Sequence, residues 1–139
     1  MQPGTFYADR ERSEMRRVLV VEDDPNIAEL IGEDLSYRGY GVAHAANGAE
    51  ALDQLDRGRP DAIVLDLMMP VMHGWDFVDH YQEKTGGELL PIVVVSAARA
   101  VPRSLEAKGV RRYLAKPFDL DELARSLSDV IDTPSPVSA

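Results

Sequence analysis

Short runs of branched apolar residues recur along this chain of 139 residues and alternate with segments in which apolar residues return every three or four positions. Runs this short and this uniformly apolar suit strands buried on both faces, and the intervening period suits helices that bury one side. Strands are predicted at Val18 to Val21, Tyr40 to Ala45, Ala62 to Leu65, Pro91 to Val95 and Val110 to Leu114. The first helix is expected to start at Pro25 with Asp24 as its cap, to turn Ile27, Leu30, Ile31 and Leu35 inward, and to stop near Gly39. Asn47 is expected to cap a second helix, with Ala51, Leu52 and Leu55 inward and Gly58 and Pro60 ending it. A third is predicted from Gly74 to about Lys84, and a last one with Leu120, Leu123, Leu127 and Ile131 on its inner face.

Strands alternating with helices pack as a parallel sheet with right-handed crossovers and helices on both sides. The predicted fold is therefore α/β: a doubly wound five-stranded parallel sheet, flavodoxin-like (βα)5, occupying residues 16–132. Residues 1–15 are polar, contain Pro3 and Gly4, and read as a flexible N-terminal extension, or as a short helix from Tyr7 to Glu14. Residues 133–139 have the composition of a Pro/Ser-rich tail or the start of a linker.

In such sheets ligands bind beyond the carboxyl ends of the strands, where the strand order switches. Glu22, Asp23 and Asp24 follow the first strand, where a phosphate-binding loop would need glycines, and Asp66 ends the third. Like charges gathered there repel; at ~4 Å and an effective dielectric of ~20 each pair costs about 4 kcal/mol. Protonation or a bound cation relieves that repulsion. Hard oxygen ligands in a chain without cysteine favour Mg2+. Ser96 ends the fourth strand, and Lys116 ends the fifth, immediately before Pro117. Taken singly, Ser96 is an ordinary strand-end hydroxyl and Lys116 a surface charge. Together with a cation they suit the three oxygens of a phosphoryl group, with Asp66 as the nucleophile that forms an acyl phosphate.

The segments VLVVEDD (18–24), IVLDLMMPVMHG (63–74), VVVSAA (93–98) and YLAKPF (113–118) resemble the receiver domains of two-component response regulators, in family order and with suitable spacing. The resemblance implies that Asp66 accepts phosphate from a sensor histidine kinase or histidine phosphotransfer protein. It implies that Glu22, Asp23 and Asp66, with the backbone carbonyl of Met68, hold Mg2+, and that Ser96 and Lys116 contact the phosphoryl oxygens. Ser96 and Tyr113 would be the switch pair, and a cis Lys116–Pro117 bond would aim the lysine. The chain departs from the pattern at His73, where the family usually has Asp, and in a slightly short run from Ser96 to Lys116. That run leaves room for only a short or shifted fourth helix, starting near Pro102. Met68 and Ala98 flank the route of a water attacking the acyl phosphate, and neither side chain can orient it, so slow self-dephosphorylation is expected.

On this reading the protein is a phosphorylation-dependent signalling switch and not an enzyme in the ordinary sense. The alternative is a receiver-like interaction scaffold that works without phosphorylation. A haloacid-dehalogenase-type phosphatase would need a second aspartate where Met68 stands, and a flavodoxin-type carrier would need hydroxyls and glycines in the first loop. Twenty-four acidic against fifteen basic residues leave a formal charge of −9, which disfavours direct nucleic-acid or membrane binding by this domain. The absence of cysteine and of a long apolar run fits a cytoplasmic location. A downstream protein partner is expected without being identifiable. No DNA-binding or catalytic output unit is read after Ile131, so the chain is expected to act alone or to be part of a larger regulator.

Overall fold

The chain was analysed as a computed structural model, which describes residues 15–67, 74–85, 91–97 and 109–132. Strand β1 (Arg17–Val21) leads through helix α1 (Pro25–Tyr37) to β2 (Gly41–Ala45), and α2 (Gly48–Arg57) leads to β3 (Ala62–Leu65). Helix α3 (Gly74–Thr85), strands β4 (Ile92–Ser96) and β5 (Val110–Ala115), and helix α4 (Leu120–Asp132) complete the described elements. All pairings are parallel, in the order β2-β1-β3-β4-β5. The order turns back on itself beside β1 and β3, and this creates the crevice that such sheets use for ligands. The expected fold class is what is observed. The expected short fourth helix, Met68, His73, Ala98 and both chain ends lie outside the described residues.

The unbroken apolar runs are explained by burial from both sides. In β1 the alternate residues Val18 and Val20 face one cluster, with Ile31 and Leu35 of α1 and Leu123 and Leu127 of α4. Leu19 and Val21 face the other, with Ala51 of α2 and Phe77 and Tyr81 of α3. Strands β3 and β4 are buried throughout, whereas the edge strands β2 and β5 are only partly so. A parallel strand covered by helices on each side has no solvated face on which to place polar residues.

Helix ends follow local chemistry. The Asp24 carboxylate accepts from the N–H groups of Asn26 (2.9 Å) and Ile27 (3.4 Å), and Asn47 Oδ1 accepts from Glu50 N (2.9 Å). Glu50 reaches back to Ala46 N (2.9 Å), closing a reciprocal cap at the start of α2. Helix α1 stops before Gly39, whose φ of 103° lies where a Cβ is strained. Two inner-face expectations shift. Leu30 is 54% exposed, because the buried stripe of α1 is centred on Ile31 and Leu35 and takes in the small Ala28 instead. In α4 the stripe is Leu123, Ala124, Leu127 and Val130, with Ile131 only partly buried at its margin.

Leu123 is fully buried between α4 and the sheet, so Leu123→Ala is expected to cost roughly 2–5 kcal/mol of unfolding free energy. Asn47→Ala, which removes only a cap, should cost about 1 kcal/mol. Urea denaturation of the two variants checks both the direction and the ranking.

Candidate functional site

The carboxyl ends of the strands are fixed by backbone bonds that continue the ladders one residue further. Glu22 N donates to Ala45 O (3.1 Å), Asp66 N to Val21 O (3.0 Å), and Lys116 N to Ser96 O (2.9 Å). Four of the predicted residues are thereby held at one edge of the sheet by main-chain geometry, before any side chain interacts. The ladder bonds of Glu22 and Asp66 place them at the ends of the neighbouring strands β1 and β3, where the strand order reverses.

Glu22 is 1% exposed, Asp66 2% and Ser96 fully buried, while Asp23 faces solvent. Carboxylate oxygens of Glu22, Asp23 and Asp66 all lie within 4.8 Å of one another. Lys116 Nζ stands 3.0 Å from Glu22 Oε1 and 3.2 Å from Asp66 Oδ2. Glu22 Oε2 accepts from Asp24 N at 3.2 Å. Oε1 is buried and, despite the nearby ammonium, accepts no hydrogen bond of directional geometry. Three carboxylates against one ammonium leave two negative charges uncompensated, and one buried carboxylate oxygen is under-used. A hard divalent cation fits both deficits.

The electrostatics agree with that deficit. Burial raises the Glu22 carboxyl from about 4.5 to about 6, with Asp66 adding to the rise and with Lys116 and the Asp24 N–H opposing it. Burial also works against the Lys116 ammonium, but the contacts with Glu22 and Asp66 outweigh it and hold its pKa above the ordinary value.

Tyr113 is half-buried on β5 and packs against the cluster beneath α2 and α3. The Lys116–Pro117 peptide is cis. The Met68 carbonyl, expected among the cation ligands, lies outside the described residues. Two contacts escape the sequence reading. Lys116 was expected to meet phosphoryl oxygens, yet here it bridges Glu22 as well as Asp66. His44 of β2 stands 3.0 Å from the backbone carbonyl of Glu22 through Nε2. Finding His44 requires knowing that β2 lies beside β1, a spatial order absent from the linear sequence; only strand parity hints at it.

A carboxyl group that binds its proton more tightly when folded than when unfolded contributes stability that is full below the unfolded pKa and is lost as pH rises through the folded one. In metal-free protein the Glu22 contribution should therefore decline between about pH 4.5 and about pH 6. Glu22→Gln should flatten that segment of the stability profile, as read by urea midpoints across the interval. An unchanged slope would show that another group carries it.

Proteins similar to this chain over nearly the whole fold are known. The family described as response regulator receiver domain matches residues 18–128. The response regulator MprA of Mycobacterium sp. (strain KMS) is 39% identical over 122 residues, covering 86% of this chain and 52% of the relative. The chain thus spans about half the length of the curated relatives it matches. Among solved structures, the response regulator TrrA of Thermotoga maritima in complex with Mg2+-BeF is 33% identical with a TM-score of 0.72, over 84% of this chain and 99% of that one. The receiver domain of a sensor histidine kinase from Pseudomonas aeruginosa PAO1, with magnesium in its active-site cleft, is 34% identical with a TM-score of 0.76, over 86% and 99%. A doubly wound sheet with its acidic residues at the switch point and a family match spanning nearly the whole fold lead to one assignment: this chain belongs to the receiver domains of two-component response regulators.

Proposed function

We propose that this domain is a phosphorylation-dependent switch in which Asp66 accepts a phosphoryl group from a histidine kinase or histidine phosphotransfer protein, with Mg2+ as cofactor. The observation that carries this reading is the juxtaposition of buried Asp66 with Glu22, Asp23 and Lys116 in one charge-deficient crevice. Receiver domains as a family are signalling proteins rather than ordinary enzymes, and they work with such kinases and bind Mg2+ in an acidic pocket.

In the proposed transfer an Asp66 carboxylate oxygen attacks the phosphorus of a phosphohistidine. The new O–P bond forms as the P–N bond breaks, and the imidazole leaves with the bonding pair. Glu22, Asp23 and Asp66 would hold the cation, together with the Met68 carbonyl. Bound there, Mg2+ neutralises charge on the phosphoryl oxygens. Lys116 supplies an ammonium already within reach of Asp66, and Ser96, at the end of the adjacent strand, supplies a hydroxyl donor. Burial of Asp66 keeps bulk water from competing for these contacts. Ser96 and Tyr113 are the proposed switch pair, whose rearrangement shifts the population of a partner-binding surface.

The switch unit is proposed to be residues 16–132, acting on a protein partner in the cytoplasm without itself binding nucleic acid or membrane. No helix among the described residues is long and apolar enough to cross a membrane.

Incubation with acetyl phosphate and Mg2+ should add one phosphoryl group to the wild type and none to Asp66→Ala, as read by intact mass. Labelling that persists in Asp66→Ala, or that fails in both, would sink the assignment of the acceptor. Lys116→Ala provides a separate check. Its ammonium competes with a cation for Glu22 and Asp66, so its removal should tighten Mg2+ binding by roughly threefold or more in titration calorimetry.

A further inference from the structure

The acidic loop after β1 must hold two adjacent carboxylates, Glu22 and Asp23, in defined directions, yet it begins where the β1–β2 ladder ends. Glu22 N makes the last ladder bond, to Ala45 O (3.1 Å). Continued pairing would bring the Glu22 carbonyl the N–H of Asn47. The chain has already left the sheet there: Ala46 N is taken by Glu50 Oε1, and Asn47 serves as the cap of α2. The Glu22 carbonyl belongs to a residue 1% exposed, and a buried carbonyl left without a donor is costly. It meets His44 Nε2 at 3.0 Å. Because the partner is a carbonyl, Nε2 carries the proton and donates. The backbone of His44 is in turn held by Gln54 Nε2, which donates to His44 O at 3.3 Å. An imidazole on the edge strand thus replaces the missing rung and sets the peptide plane between Glu22 and Asp23.

We infer that His44 is a positioning residue for the cation site: through its hydrogen bond to the Glu22 carbonyl it fixes the direction in which the Glu22 and Asp23 carboxylates face Asp66. The inference rests on the proposal that these carboxylates hold Mg2+. His44 does not touch the cation itself. It acts by keeping the peptide between two of the proposed ligands from rotating, a function that any side-chain N–H donor of similar reach can perform. Its side chain is exposed, so its replacement should leave the core intact.

The test is Mg2+ titration calorimetry on phosphate-free wild type, His44→Val and His44→Gln, all at one pH. Valine suits a strand but has no donor, whereas glutamine retains an N–H. His44→Val should bind Mg2+ roughly three- to tenfold more weakly, the range a single lost hydrogen bond gives, and His44→Gln within about twofold of wild type. The metal-free thermal midpoints should not follow that order. Amide exchange at Asp23 and Asp24 in metal-free protein should be faster in His44→Val only. Wild-type-like Mg2+ affinity in His44→Val, or equal weakening in both variants, would overturn the role of His44. Absence of Mg2+ binding by the wild type would instead overturn the cation reading on which it stands.

Discussion

Glu22 and Asp66, both buried to within a few per cent of complete exclusion from water, share the ammonium of Lys116. Taking charges out of water is expensive, and their mutual attraction offsets that cost only when geometry is good and the remaining lone pairs find partners. Here the offset is incomplete, because two carboxylates meet one ammonium and the exposed Asp23 adds a third negative group nearby. Burial first, and the Asp66 charge to a smaller extent, raise the Glu22 pKa against the opposing pull of Lys116. A centre left short of positive charge in its resting state is poised to respond to cations and to changes at Asp66.

The rest of the molecule keeps that centre rigid. Each of its buried residues is an extension of a strand that is itself packed on both faces, so the main chain cannot drift without disturbing one of two apolar clusters. Distant surface contacts add little to this. Arg38, at the end of α1, pairs with Asp34 and with Asp121 at the start of α4, linking two helices on one side of the sheet. Arg38 and Asp121 are solvent-exposed and Asp34 only partly covered, and such surface pairs are worth little individually.

Most of the fold was legible in the sequence because local signals and burial agree: uniformly apolar runs became the central strands, and Asp24 and Asn47 cap the helices their side chains suit. Strand limits differ from expectation by single residues, as at Arg17 and Ser96, because pairing, and not hydrophobicity, decides where a strand ends. Leu30 misled because spacing alone places it beside Ile31 without weighing the competing claim of Ala28. In the site, the gathering of Glu22, Asp23, Asp66, Ser96 and Lys116 at one edge was legible from their positions after apolar runs. The Lys116–Glu22 contact and the His44 bond were not, since both depend on which strands are neighbours. That order is set by the crossovers and not by any residue's own preference.

Strand β5 carries one irregularity with a wider reach. Ile92 pairs with Val110, but Val93 pairs with Arg112, so Arg111 is an extra residue that the ladder passes over. From there to Ser96 and Ala115 the register holds, and it delivers Lys116 to its place beside β4. Strand side chains alternate, so the parity of residues after this slip decides that Leu114 turns into the core while Tyr113 and Lys116 take the positions they do. What sets the geometry of β5 is therefore its length counted from the partner of Ile92. Loss of one residue would turn the strand inside out and carry the ammonium away from the carboxylates it bridges.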